Sequence, residues 1–314
     1  MSTNIPFVFF GTPDFSVIIL EELFRVGLVP TLVVTAPDAA RGRGMEVLPS
    51  PVRVWAQKRG ISTITPSSLK DTETQNALSA THADVFVIAA YGYILPKHIL
   101  DIPPRGVLNI HPSLLPQYRG ATPIQGALLA GETHTGVTVM LTDTDMDHGP
   151  IIAQRGVPIT PVDDAATLTD ALAHLGGTLA AEVLLKWVRG EITATPQEHT
   201  KATFTAPLTK SDGRIDWNTT IAQFLRTLRA YHTWPTFWCE IPSKKGTVRV
   251  RILSAHAVSA GASRPAGTLI SYQNKPCVAL ADGWILLDTI RIAGKNDADS
   301  AALWSITTPD TMLL

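Results

Sequence analysis

Short, continuously apolar runs separated by helically spaced segments dominate the first half of this 314-residue chain. Pro6-Phe7-Val8-Phe9-Phe10 ends at Gly11, and Leu32-Val33-Val34 follows. Asp84 to Ala90, Val107 to Ile110 and Thr135 to Leu141 complete the set. Runs that are apolar at nearly every position predict strands covered on both faces, because a half-solvated strand would alternate. Between the first two runs, Ile18, Ile19, Leu20, Leu23 and Phe24 supply an apolar helix face behind Asp14, a residue suited to capping. Val52 to Lys58 reads as a second helix, with Pro51 fitted to its first turn. Ala165 to Arg189, rich in Ala and Leu, predicts one long helix. Strands alternating with helices imply an α/β fold built on a doubly wound, mostly parallel sheet.

The pattern changes near residue 190. Residues 190–210 hold few large apolar side chains, several Thr, and Pro196 and Pro207, which reads as a linker. A helix from about Thr219 to Ala230 precedes short alternating runs such as Thr247-Val248-Arg249-Val250-Arg251-Ile252. Those runs, broken by Gly, Pro and Asn, predict a smaller antiparallel β-domain of barrel type. The expected organisation is thus a domain over 1–189, a linker over 190–210 and a second domain over 211–314.

Composition and charge constrain this picture further. Hydrophobic residues at 45% and charged ones at 17% fit a globular protein, and the length favours two domains. No uninterrupted apolar run reaches the ~18 residues that span a bilayer, so no membrane association is expected. Met1 to Asn4 lacks the basic start of a secretory signal, which makes a cytoplasmic location the expectation. Cys239 and Cys277 are the two cysteines and form no CxxC pair, which leaves no basis for a zinc cluster or disulfide framework. The net charge of −1 conceals an asymmetry. Residues 1–199 carry 13 Lys and Arg against 19 Asp and Glu, a balance of −6, whereas residues 200–314 carry 13 against 8, a balance of +5. Such a split arises by chance between two domains, or it marks the second half as the one that meets a polyanion.

Two glycine-bearing segments bear on chemistry. Gly11-Thr12-Pro13-Asp14-Phe15 occupies the strand-to-helix turn of a dinucleotide site, but Pro13 and Phe15 stand where small residues must approach a pyrophosphate. A nicotinamide or flavin cofactor is therefore disfavoured. Ala40-Arg41-Gly42-Arg43-Gly44 lies in a long loop between Pro37 and Pro51. Such a segment keeps a loop soluble in the commoner case, yet arginines flanked by glycines can also follow a phosphate backbone.

The densest chemistry sits in Asn109-Ile110-His111-Pro112-Ser113-Leu114-Leu115-Pro116, at the end of an apolar strand. Alternation along a strand points Asn109 and His111 the same way. Met146-Asp147-His148-Gly149-Pro150 follows another apolar run and offers a carboxylate. Singly, each has a structural reading: a strand-capping amide, a surface histidine, one turn acid among Asp143, Asp145 and Asp147. Together they suit acyl transfer to an amine without a covalent enzyme intermediate. An amide and a protonated imidazole stabilise a developing oxyanion, and a carboxylate accepts the amine proton. Metal ligation by His111, Asp147 and His148 lacks an HExxH-type spacing, so no metal is expected. Neither cysteine has a recognisable histidine partner.

The run NIHPSLLPQYRGATPIQGALLAGETHTGVTVM (109–140), followed by MDHGPI (146–151), resembles the core of the 10-formyltetrahydrofolate-dependent formyltransferases. The resemblance implies that Asn109, His111 and Asp147 are catalytic. It also implies that Ser113, Leu114, Leu115 and Pro116 contribute to the folate site. Tyr91, Tyr93, Ile94 and Leu95, with the loop from Asp143 to Asp147, would enclose the pterin. GTPDF (11–15), PDAARGRG (37–44) and LPSPV (48–52) are similar to the methionyl-tRNA formyltransferases. In that family the loop carrying Arg41 and Arg43 would insert into the tRNA acceptor arm. KSDGRIDWNTTIAQFLRTLRAYHTWPTFWCEI (210–241) resembles the entry to its OB-like, tRNA-binding domain. The implied activity is formyl transfer from 10-formyltetrahydrofolate to the α-amine of methionyl-initiator tRNA, by an enzyme expected to be monomeric. Two other readings compete: a formyltransferase acting on an amino sugar nucleotide or purine precursor, and a non-catalytic RNA-binding protein.

Overall fold

The apolar runs of the first half become one sheet in the computed structural model, which describes residues 5–41, 46–243, 246–259 and 264–313. Along the chain come β1 (Phe7–Gly11), α1 (Asp14–Arg25), β2 (Leu32–Val34), a hairpin of β3 (Ala39–Arg41) and β4 (Glu46–Leu48), and α2 (Pro51–Gln57). Next are β5 (Thr63–Ile64), α3 (Thr72–Ser79), β6 (Val85–Ala89), α4 (Lys97–Leu100), β7 (Val107–His111) and β8 (Arg119–Gly120). Then follow α5 (Pro123–Ala130), β9 (His134–Leu141), β10 (Ile151–Pro158), α6 (Ala165–Val188) and β11 (Phe204–Thr205).

The sheet order is β10-β9-β7-β6-β1-β2-β5. The five strands from β5 to β7 are mutually parallel, in keeping with their largely apolar patterning. The run at Thr135–Leu141 departs from this: β9 lies antiparallel to β7, and β10 antiparallel to β9. A second departure concerns Asp14, which opens α1 rather than capping it. Pro13 holds the cap position, and no side chain bonds the end of the helix. Ser50 does cap α2, accepting from the Arg53 amide at 3.0 Å. Part of the long loop expected between Pro37 and Pro51 is the β3–β4 hairpin, registered Ala39 to Leu48.

Both sheet faces are covered. Leu23 of α1 and Ala180 and Leu184 of α6 meet Val87, Leu108, Ile110 and Val139 around a void of about 10 Å³. Its lining is apolar and its size marginal for a single water, so it adds little cost. Gly177 lets α6 lie against α1, since a Cβ there would come 2.5 Å from the Glu22 Cβ. On the opposite face Val8, Phe10, Phe86 and Val107 pack with Leu78, Tyr91, Leu95 and Ile99. Helix α6 is long and apolar enough to cross a membrane by length and composition, but over half of its most apolar window is buried, as a core helix demands.

The chain divides into two compact units. The first comprises 1–123, 133–159 and 167–206; the second comprises 124–132, 160–166 and 207–314. The stretch 190–210, which reads as a linker, thus divides at Ala206. Its earlier part is held to the first unit by Thr195 bridging to Ile151 and by β11 pairing with β8.

The second unit holds α7 (Ile221–Ala230), β12 (Trp238–Ser243), β13 (Gly246–Val258), β14 (Leu269–Tyr272), β15 (Lys275–Leu280), β16 (Gly283–Ile292) and β17 (Asp297–Asp299). Its sheet runs β12-β13-β16-β15-β14, with β17 also beside β16, and every pairing is antiparallel. Thr220 caps α7, and Phe224 buries itself between Trp217 and Phe237 at ring distances of 6.0 and 4.9 Å.

Candidate active site

Strand β7 ends the parallel array with polar side chains on one face. Leu108 and Ile110 point toward α1 and α6, so Val107, Asn109 and His111 share the other side. Adjacent parallel strands β6 and β7 end at Ala89 and His111, and the loops that leave there form the edge where such sheets bind ligands.

Asp147 reaches this edge from the loop between β9 and β10. Its Oδ1 accepts from Asn109 Nδ2 at 3.1 Å, and its Oδ2 accepts from the Gly120 amide at 2.8 Å. His111 Nδ1 lies 3.6 Å from Oδ2. The other ring nitrogen, Nε2, donates to the Tyr118 carbonyl at 2.9 Å, because a carbonyl can only accept. In the neutral ring Nδ1 therefore carries the lone pair, and a second proton placed there faces the carboxylate. At 3.6 Å that approach is an ion-pair contact, longer than a hydrogen bond, which leaves an Nδ1 proton available to another acceptor. The His111 side chain is 5% exposed and that of Asp147 11%, so these polar groups interact in a largely dry setting.

The backbone around the trio is held in costly conformations. Asp147 has φ +49°, Tyr118 φ +57°, and Ala90, following β6, φ +48°. Left-handed non-glycine residues persist when their surroundings over-determine them. The loop after His111 shows how: Ser113 Oγ donates to the Gln117 carbonyl at 2.7 Å. Thr138 Oγ1 donates to the Ser113 carbonyl at 2.7 Å, while Gln154 holds the Leu115 carbonyl at 2.8 Å.

The other expected ligand residues divide by exposure. Ser113 and Leu115 are buried, and Leu114 lies against Gly136 and Gly156 of β9 and β10. Pro116 is half-buried. Tyr91 and Leu95 belong to the core, whereas Tyr93 and Ile94 are exposed, with the Tyr93 ring tilted by 54° against that of Tyr91 at 5.3 Å. Burial, and then the neighbouring Tyr93, push the Tyr91 phenol above its ordinary value, and its hydroxyl has no partner among the described residues. With Met146 also exposed, these loops offer an apolar surface suited to a flat heteroaromatic ring. Arg43 lies outside the described residues, and Arg41 is seen as the last residue of β3.

Arg119 and Gln197 emerge from the structure without a signal in the sequence. Both are almost fully buried, and Gln197 Oε1 accepts from Arg119 Nη2 at 2.6 Å. His148, adjacent to Asp147, turns away from the trio. It pairs with Asp143 at 2.7 Å and stacks on His199 at 4.0 Å.

Both cysteines are buried, and burial pushes their thiols up, Cys239 to about 12 and Cys277 to about 11. Thiolates are the reactive form, so neither side chain is a nucleophile at neutral pH. We expect native protein at pH 8 to resist iodoacetamide and to take up two equivalents once unfolded. Rapid labelling of the native chain by mass spectrometry would contradict this burial.

Residues 4–184 match the family model described as "Formyl transferase", and residues 207–307 match "Formyl transferase, C-terminal domain". The chain is 43% identical over 300 residues to the methionyl-tRNA formyltransferase of Chloroflexus aggregans, covering 94% of this chain and 95% of the relative. For the Chloroflexus aurantiacus protein of that name the identity is 46%, with 94% of each chain covered. For the Marinobacter nauticus one it is 37%, with 92% of each covered. Among solved structures, HypX from Aquifex aeolicus in complex with tetrahydrofolic acid superposes with a TM-score of 0.63 at 17% identity, covering 96% of this chain and 47% of HypX. An N-formyltransferase from Helicobacter canadensis, solved with folinic acid and dTDP-3-aminofucose, gives 0.64 at 18% identity, over 90% of this chain and 99% of that one.

Proposed function

Since this chain belongs to the methionyl-tRNA formyltransferase family across both of its domains, we propose that Asn109, His111 and Asp147 are the residues that carry out its formyl transfer. The enzyme moves the formyl group of 10-formyltetrahydrofolate to the α-amine of methionyl-initiator tRNA, giving N-formylmethionyl-tRNA for translation initiation. The convergence of one carboxylate with an amide, an imidazole and a backbone N–H carries this reading.

The folate co-substrate supplies an electrophilic formyl carbon. Asn109 uses one of its two amide protons on Asp147 and keeps the other for the formyl oxygen. His111, protonated at Nδ1, directs a second donor to that oxygen as negative charge develops. Asp147 balances the imidazolium charge and takes the proton that the attacking amine must lose, directly or through a water. The adduct then collapses with cleavage of the bond from the formyl carbon to N10, and that proton passes to N10 as tetrahydrofolate leaves. Gly120 and Asn109 hold the carboxylate at two separate oxygens, so it is oriented before substrate arrives.

The exposed Tyr93, Ile94 and Met146 fit the pterin ring, with buried Tyr91 and Leu95 beneath them and the Ser113-to-Pro116 segment as a rigid wall. We read Arg41 and Arg43 as contacts to the acceptor arm of the tRNA, and the C-terminal unit as an OB-like domain that meets the same nucleic acid. Residues 1–189 and 211–314 correspond to the two domains in this reading. The protein acts in the cytoplasm as a monomer, and no metal takes part.

The activity is tested by incubating the chain with 10-formyltetrahydrofolate and methionyl-tRNA. N-formylmethionyl-tRNA is expected, and none should form when the tRNA is uncharged. Arg43→Ala is expected to raise KM for the tRNA about tenfold or more, the loss typical of a well-placed charged contact, while KM for the folate stays as it was. Equal changes in both would remove Arg43 from the tRNA contact.

A further inference from the structure

We propose that Gln197 is a positioning residue for Asp147, a role that rests on reading Asp147 as part of the formyl-transfer site. Its side chain is buried and every polar position on it is used. Nε2 donates to the Asp147 carbonyl at 2.9 Å and to the Gly149 carbonyl at 2.7 Å. Oε1 accepts from Arg119 Nε at 3.2 Å and from Nη2 at 2.6 Å. One amide therefore ties the main chain that bears the carboxylate to the residue preceding Gly120, whose N–H grips that carboxylate.

The ties are themselves anchored. Thr195 pairs with Ile151 just beyond the Asp147 turn, and Phe204 pairs with Arg119 across β11 and β8. Arg119 is closed in on its remaining sides, donating to His199 Nδ1 at 2.9 Å and lying 5.9 Å over the Phe204 ring. The segment from 195 to 205, paired at both ends with a 3-10 turn at His199–Lys201 between, thus acts as a strap, and Gln197 is the side chain through which it reaches the site. Asp147 needs such a strap because its φ of +49° is one that a non-glycine residue abandons readily. Besides the His148–Asp143 pair inside the turn, Gln197 is the side chain that ties its backbone to another segment among the bonds described, and a shift there carries both carboxylate oxygens away from Asn109 and His111.

The donor and acceptor halves of the amide can be separated. Gln197→Ala removes both and leaves Arg119 buried with little compensation, so it risks the fold. Gln197→Glu keeps an oxygen for Arg119 but sets an acceptor against two carbonyls, which converts the tie to the turn into a repulsion while sparing Arg119. In the full-length chain we expect Gln197→Glu to melt several degrees below the wild type and to be folded at the assay temperature. We expect its kcat to fall on the order of 10- to 100-fold, the scale of a misplaced catalytic group, with KM for 10-formyltetrahydrofolate unchanged. The ¹⁵N resonance of His111 Nδ1 should shift in that variant, while Nε2, held by Tyr118, should not. A wild-type kcat with unshifted His111 resonances would overturn the proposal, as would a kcat loss fully matched by a rise in KM. If the wild-type chain itself transfers no formyl group, the reading of the site falls, and the resonance comparison still decides for or against Gln197.

Discussion

Asp147→Asn should lower kcat for formyl transfer by about 10²- to 10⁴-fold, the range spanned by losing a positioned acid or base. The structure specifies why a near-isosteric change has so large an effect. Asp147 accepts at both oxygens, from Asn109 on one and from the Gly120 amide on the other, with His111 Nδ1 beside the second. An asparagine offers one acceptor, so one donor must face an NH₂ group. The side chain is nearly buried, and a stranded donor there costs about 1–3 kcal/mol. The variant also loses the negative charge that balances the imidazolium and the base that takes the amine proton. Asn109→Ala should cost about 10²- to 10³-fold, as the loss of one oxyanion donor does elsewhere. Folate binding, measured by fluorescence quenching, should survive both changes. Single-turnover rates close to wild type in either variant would remove that residue from the chemistry.

Gly120→Ala combines a folding defect with a catalytic one. Gly120 has φ +107°, and a Cβ there would lie 2.2 Å from the Thr205 carbonyl oxygen, inside a strand pair that cannot yield without losing its bonds. Left-handed backbone costs an alanine roughly 1–2 kcal/mol, and overpacking adds about 1–3, for a total of about 2–5 kcal/mol. At about 2–4 °C per kcal/mol for domains of this size, the melting temperature should drop by roughly 4–20 °C in calorimetry. Because the Gly120 amide grips Asp147, turnover at a temperature where the variant is folded should fall as well. A variant with unchanged melting and unchanged kcat would show that the close approach to Thr205 is not maintained.

The parallel strands were legible because burial on both faces leaves no polar position within them, as in β1, β2 and β6. The direction of β9 was not. An apolar strand reads alike in either sense, and a connection containing a helix such as α5 suits a parallel crossover equally well. Strand β10, with exposed and half-buried residues alternating, lacks the continuous run that marked its neighbours.

The site divides along similar lines. Asn109 and His111 could be paired from strand alternation alone. Asp143, Asp145 and Asp147 look equivalent in sequence. The left-handed turn at Asp147 and the Gly120 amide single out that residue, and neither is a property of composition. Arg119 and Gln197 were invisible for another reason. Their segments are fixed by hydrogen bonds between residues 78 apart, and hydrophobic patterning registers only apolar area. The stretch around Gln197 read as a linker because it is poor in apolar residues, yet its polar side chains bind it to the sheet.

A site that formylates methionyl-tRNA with Asp147 organising the transfer should choose that acceptor over other amines and fail without the carboxylate. One assay tests it: the chain is given labelled 10-formyltetrahydrofolate and three acceptors in parallel. These are methionyl-initiator tRNA, a dTDP-linked amino sugar and glycinamide ribonucleotide, each tested with wild-type protein and with Asp147→Asn. Label should enter the methionyl-tRNA alone, and Asp147→Asn should slow that transfer at least about a hundredfold. Label in the sugar or ribonucleotide in preference to the tRNA, or undiminished transfer by Asp147→Asn, would contradict this reading of the site.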